Sequence, residues 1–258
     1  MSAHNRRPPA GGKQRRDGGS RPADAALIYG AHAVREALTA GKRKLVALYA
    51  TANAIARIED AAKAAGLKPQ LVEARELTRR LGEEAVHQGL LLEAGPPPER
   101  DLSDVAATGG LILLLDQITD PHNVGAILRT AAAFAVEAIV VTERHSPQFS
   151  GVLAKAASGG LEHVEIVSVV NLARAMEELA DHGYTILGLD SEGADTLETV
   201  PLQAPVALAL GAEGKGLRRL TRERCVAVAR LDTPGAIKSL NVSNACAVAL
   251  SVLRRRLG

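Results

Sequence analysis

The stretch LILLLDQITDPHNVGAILRTAAAF, from Leu111 to Phe134, decides the fold class. An unbroken apolar run closing on Asp116 reads as a strand buried on both faces, not one alternating toward water. Asp120-Pro121 then turns the chain, Asn123 is the expected cap, and Val124 to Ala135 carries the helix. The same alternation continues downstream through AIVVT, VEIVSV, TILGLD, VALALG and CVAVARL, with helices expected at about Gly151 to Ala157, Leu172 to Asp181, from Leu217 and from Leu240. Continuous apolar strands alternating with helices predict an α/β domain with a parallel sheet covered on both faces.

Upstream, a smaller α/β unit is expected: a helix through Ala31 to Leu38, strand KLVALYA, a helix Ala54 to Ala65, strand QLVEA, a short helix near Arg75 to Leu81 and strand QGLLLEA. The Pro-rich stretch GPPPERDLSDVAATGG separates the units, since consecutive prolines neither continue a helix nor pair in a sheet. The expected division is a tail at 1–23, a first unit at 24–94, a linker at 95–109 and the larger domain at 110–258.

Composition narrows the classes. The net charge of +2 conceals a basic tail, where Arg6, Arg7, Lys13, Arg15, Arg16 and Arg21 face one acid, Asp17. With few apolar residues this tail cannot repay the entropy of ordering and is expected to be disordered, either as a plain solvated extension or as an arm attracted to phosphate. Aromatic residues are 2% of the chain, which argues against single-strand binding by a row of stacking rings. Neither a secretory leader nor a membrane-length apolar run is visible, so a cytoplasmic protein is expected. Cys225 and Cys246 stand far from other cysteines and from histidines at metal spacing, so both read as small core residues and no metal is expected.

Three blocks hold the polar residues that a core does not explain. Arg129 lies among Ala126, Ile127, Leu128 and Ala131, where a guanidinium needs water or an anion. The second block, Gly211-Ala212-Glu213-Gly214-Lys215-Gly216, has neither the Walker spacing nor the dinucleotide fingerprint, which disfavours a nucleotide-binding oxidoreductase. Its glycines permit close backbone approach to a ligand at a strand end, with Glu213 at the mouth; a tight turn with a solvent-facing acid is the plainer alternative. In the third block, Ser239, Asn241, Ser243 and Asn244 interrupt an apolar segment, and Ser239 is the expected helix cap.

The strings D-P-x-N-x-G-A-x-x-R-T-A, G-x-E-G-x-G and S-L-N-V-S resemble, in order, the three motifs of the SpoU branch of the SPOUT methyltransferases. YGAHAVREAL (Tyr29 to Leu38) and HQGLLLEA (His87 to Ala94) are similar to the RNA-binding domain, of the ribosomal-protein L30 type, that many of these enzymes carry. The resemblance implies a C-terminal trefoil knot and the transfer of a methyl group from S-adenosyl-L-methionine to a ribose 2′-hydroxyl of RNA. By motif position it assigns Gly211, Leu231, Ile237 and Leu240 to the cofactor pocket. Asn123, Arg129, Glu213, Ser239 and Asn241 are assigned to the methyl group and the incoming ribose. It further implies a homodimer, with Arg129 facing a pocket completed by the partner. The substrate implied by the N-terminal unit is a guanosine of 23S ribosomal RNA; a transfer RNA substrate and a catalytically silent RNA-binding or assembly protein are the alternatives. One departure is Leu231-Asp232-Thr233, where the family commonly has Ile-Pro-Met. The resemblance also gives Arg129 the role of base. Because a guanidinium is a poor base near neutral pH, the role preferred here is to orient the hydroxyl and stabilise oxyanion charge while a phosphate or water takes the proton.

Overall fold

In the computed structural model of the protein, residues 26–144, 146–147 and 151–258 are described, and the expected tail at 1–23 lies outside them. The first unit contains β1 (Ala26–Tyr29), α1 (Ala31–Ala40), β2 (Leu45–Ala50), α2 (Ala52–Ile55), α3 (Glu59–Ala64), β3 (Gln70–Leu71), α4 (Ala74–Leu81) and β4 (Leu90–Ala94). Its sheet order is β1-β4-β2-β3, with β4 antiparallel to both β1 and β2. Two expectations need correction. The four-residue β1, too short to show a period, was missed; pairing with β4 from Ala26↔Ala94 to Tyr29↔Leu91 creates it. The single helix expected over Ala54 to Ala65 is broken at Ile58, whose backbone (φ −131, ψ 4) leaves the helical region while its side chain enters the core.

The strings YGAHAVREAL and HQGLLLEA meet at one corner of this unit. Gln88 and Gly89 both adopt positive φ, and Gln88 Oε1 accepts the Ala31 backbone N–H at 2.9 Å, satisfying an orphan donor of α1. A Cβ on Gly89 would collide with the Thr51 side chain, so the close approach requires glycine. His87 completes the turn: Nδ1 accepts the Gly89 N–H at 3.0 Å and Nε2 faces Thr78 Oγ1 at 3.2 Å.

The second unit follows α5 (Leu102–Ala106) and comprises β5 (Ile112–Asp116), α6 (Pro121–Ala133), β6 (Ala138–Thr142), α7 (Gly151–Ala157), a 3-10 turn (Gly160–Glu162), β7 (Glu165–Val169), α8 (Leu172–Asp181), β8 (Thr185–Leu189), β9 (Asp195–Thr196), β10 (Val206–Gly211), α9 (Arg219–Arg224), β11 (Ala227–Arg230) and α10 (Val242–Leu257). Among the described residues its sheet runs β7-β6-β5-β10-β8-β11-β9, parallel throughout. Alternate residues serve opposite faces: Leu113, Leu115, Ile139, Leu208 and Leu210 pack beneath α6, α7 and α10, while Ile112, Leu114, Val140, Ala207 and Ala209 pack beneath α5 and α8. That two-sided burial is what the unbroken apolar strands required.

The stretch expected as a linker at 95–109 is not all spacer. Within it α5 buries Leu102, Val105 and Ala106, because the second face of the sheet needs a cover there. Helix starts also shift. Asp120, not Asn123, caps α6 by accepting the His122 N–H at 3.1 Å, and Pro121 occupies the first turn, where its missing N–H costs nothing. The helix expected from Leu217 begins at Arg219, after Leu217 turns into the core. The helix expected from Leu240 begins at Val242, because Asn241 is the cap: its side-chain oxygen accepts the backbone N–H groups of Ser243 (2.9 Å) and Asn244 (3.4 Å). Ser239, expected as that cap, lies in the loop before it. Cys246 is buried in α10 and Cys225 is half-buried ahead of β11; burial pushes both thiols up to about 12, which suits inert packing residues.

Candidate active site

Three distant segments converge at the carboxyl ends of β5 and β10. In the parallel register Gly211 lies beside Asp116, so the loops leaving these two neighbouring strands emerge together. Ligands in open α/β sheets bind at such strand ends. Glu213, two residues past the end of β10, is the point of convergence. Its Oε1 accepts the amide of Asn123 from the first turn of α6 at 3.0 Å and the amide of Asn241 at 2.6 Å. It also lies 3.4 Å from the Val242 backbone N–H at the start of α10. Asn241 additionally donates to Asn123 Oδ1 at 2.9 Å. A carboxylate at the amino end of α10 lies at the positive end of the helix dipole, a stabilising arrangement.

The loop bearing Glu213 is shaped by its glycines and braced from below. Gly216, at φ 63, returns its N–H to the Ala212 carbonyl at 2.8 Å. A Cβ on Gly211 would run into the Gly216 carbonyl group and the Leu217 nitrogen, so no larger residue fits against the returning chain. Asp116, with its side chain fully buried, accepts the Arg218 backbone N–H at 2.9 Å through one oxygen and Arg218 Nε at 2.5 Å through the other. Asp190, at the end of β8, pairs with Arg222 at 2.5 Å. Sequence reasoning missed these two braces. The signal was present in both cases: LILLLD and TILGLD are apolar strands that end in an acid, a costly choice unless a donor waits there.

Above this loop lies a cleft of about 440 Å³. Its walls include Leu189, the segment from Leu210 to Gly216, Leu231, Ser239, Leu240 and Ala245. Of the residues expected around a cofactor, Gly211, Leu231 and Leu240 line it, whereas Ile237 does not and is 76% exposed. Leu231 keeps its place in the wall despite the departure from the family pattern at Leu231-Asp232-Thr233. Of those expected around the methyl group, Asn123, Glu213 and Asn241 form the hydrogen-bonded cluster, and Ser239 and Glu213 line the cleft. Arg129 stands apart. It is exposed on α6, six residues or about 9 Å along the axis from Asn123, and its guanidinium makes no hydrogen bond or ion pair among the described residues.

Comparison with known proteins is consistent with this geometry. Residues 110–251 match the SpoU rRNA methylase family, and residues 27–100 match the RNA 2′-O ribose methyltransferase substrate-binding family. The 23S rRNA (guanosine-2′-O-)-methyltransferase RlmB of Coxiella burnetii is 35% identical across 89% of this chain and 95% of its own length. RlmB of Pseudomonas aeruginosa is 42% identical across 67% and 73%. Among solved structures, the SpoU methyltransferase AviRb of Streptomyces viridochromogenes, in complex with the cofactor AdoMet, superposes with a TM-score of 0.78 over 91% of each chain at 20% identity, a likeness of fold. With the motif cluster assembled at the strand ends and the family match spanning more than half its length, the chain belongs to the SpoU rRNA methylase family.

Proposed function

We propose that the protein transfers the methyl group of S-adenosyl-L-methionine to the ribose 2′-hydroxyl of a guanosine in 23S ribosomal RNA. The observation that carries this reading is the Glu213 carboxylate, held by Asn123 and Asn241 at the mouth of a glycine-walled cleft. The cleft fits the cofactor on three counts: its volume lies in the range of small-ligand sites, its walls combine the glycine-rich segment from Gly211 to Gly216 with apolar Leu189, Leu231 and Leu240, and the Glu213 carboxylate among its lining residues has the charge that would suit a sulfonium cation. When bound there, the cofactor supplies a methyl group activated by positive charge. Gly211, Leu231 and Leu240 would hold the adenosine portion.

The remaining work is positional, because an in-line displacement gains most from holding two reactants at attack distance. Glu213 fixes the amides of Asn123 and Asn241, and Ser239 offers a hydroxyl on the same wall. Arg129 orients the 2′-hydroxyl and stabilises the charge that develops on its oxygen, while a phosphate or water accepts the proton. This role needs a second copy of the chain, so the reading includes a homodimer in which the partner brings the cleft and Arg129 together. Arg129, Ile237 and Leu240 are exposed, which leaves them free to meet such a partner. A cytoplasmic location and the family's trefoil knot belong to the same reading. The likeness to 23S rRNA methyltransferases at 35% and 42% identity supports ribosomal over transfer RNA.

Mapping of 2′-O-methyl groups in ribosomal and transfer RNA from cells with and without the gene tests the proposal. A single guanosine of 23S RNA that loses its mark supports it. An unchanged 23S map, or a mark lost only from transfer RNA, overturns it.

A further inference from the structure

The two units share more than a linker. Arg43, just after α1, grips Glu162 in the 3-10 turn with two contacts, Nε to Oε2 at 3.0 Å and Nη2 to Oε1 at 2.8 Å; the side chains are 1% and 4% exposed. On either side Lys42 reaches Glu165 at 2.9 Å and Glu36 meets His163 at 2.8 Å. A Cβ on Gly151 would lie 2.5 Å from the Leu27 carbonyl oxygen, so β1 and α7 approach closely at this glycine. Glu99 bridges to Ile166 and α5 is packed into the core, so the connecting segment is held as well.

A buried ion pair is a poor source of stability, since desolvation cancels most of its attraction, and its best-attested use is to select one arrangement over others. Here the arrangement selected is the seat of the first unit on the 3-10 turn, and that turn presses on α6 where Arg129 emerges. A Cβ on Gly160 would lie 2.7 Å from the Leu128 carbonyl oxygen and 3.0 Å from the Arg129 Cα. We infer that Arg43 and Glu162 are positioning residues that fix the RNA-binding unit at one distance and angle from Arg129, so that the docked unit, and not a freely swinging one, selects which ribose reaches the site.

This inference rests on the rRNA reading above. Its test uses the full-length protein with Arg43→Met, Glu162→Leu and the double variant. Each single change leaves a buried charge unpaired and lowers Tm, whereas the double change replaces the pair by apolar side chains, which is often neutral for stability. A merely structural pair predicts that the double variant recovers everything. The positioning role predicts that it recovers Tm and keeps its calorimetric affinity for S-adenosylmethionine. Its KM for a 23S rRNA transcript, and its RNA Kd in filter binding, should still rise at least about fivefold, the scale of a modest coupling energy, with little change in kcat. Gly151→Ala, which wedges the same interface without touching a charge, should act in the same direction. A double variant and a Gly151→Ala variant with wild-type KM and RNA Kd would overturn the inference. Absence of methyl transfer by the wild-type protein overturns the functional reading alone, and the RNA Kd values then decide the docking by the same criterion.

Discussion

Asn241 joins two tasks in one side chain, and separating them gives the sharpest prediction. Its oxygen caps α10 and its amide donates to Glu213 and Asn123. Asn241→Ala removes both. Loss of an amide cap costs about 1 kcal/mol. A hydrogen bond to a carboxylate contributes about 1.5 kcal/mol, the low end of the range because this site is open to solvent. At about 3 °C per kcal/mol for a chain of this size, Tm should fall by about 5–10 °C. Asn241→Asp separates the tasks. Asp caps a helix as well as Asn, so the capping contribution alone, about 1 kcal/mol, is kept. The amide donor is replaced by a second carboxylate facing Glu213, which costs about 1 kcal/mol or more at that range and opens the cluster. Thermal unfolding, calorimetry with S-adenosylmethionine and single-turnover methyl transfer are the assays. Both variants should lose at least about tenfold in transfer rate, with cofactor affinity changed much less. Full transfer by Asn241→Asp, or an unaltered Tm for Asn241→Ala, would refute the reasoning.

Arg129→Lys keeps the charge but loses the planar fork, and should lower kcat by at least about tenfold without weakening cofactor binding; near-normal turnover counts against either role for this side chain. Gly211→Ala places a methyl group against the returning carbonyl of Gly216, so titration with S-adenosylmethionine should show no saturable heat while the circular dichroism spectrum stays that of the parent. His87 is held neutral by burial and by the Gly89 N–H it accepts, and burial lowers its pKa from 6.5. The unfolded chain therefore binds its proton first. The contribution of His87 to stability is complete above pH 6.5 and is lost as the pH falls from there toward the lower folded value. The decline of Tm over that window should be shallower in His87→Gln.

What the sequence by itself determined was the set of elements whose periodicity is strong. The apolar runs ending at Asp116, Thr142 and Gly211 could only be strands buried on both faces, and Asp120-Pro121 and the glycines after Leu210 could only be turns between such strands and helices. Glu213 and Asn241 also stood out in the sequence as polar residues beside apolar runs, and the fold brings the two together. What only the tertiary structure decided were the partnerships. Asn123 was expected as a cap and instead serves Glu213, because Asp120 already satisfies the first turn of α6. The basic run Arg254 to Arg256 carries no local sign of its partners. Arg254 Nε donates to the Phe134 carbonyl at 2.6 Å, and Arg256 donates to the Leu197 and Val200 carbonyls at 2.7 and 2.8 Å. The same holds for Arg43 and Glu162, which lie 119 residues apart. Periodicity is a local property that each segment carries alone, whereas the partner of a charged or amide group is fixed by which distant backbone the folded chain brings within about 3 Å of it.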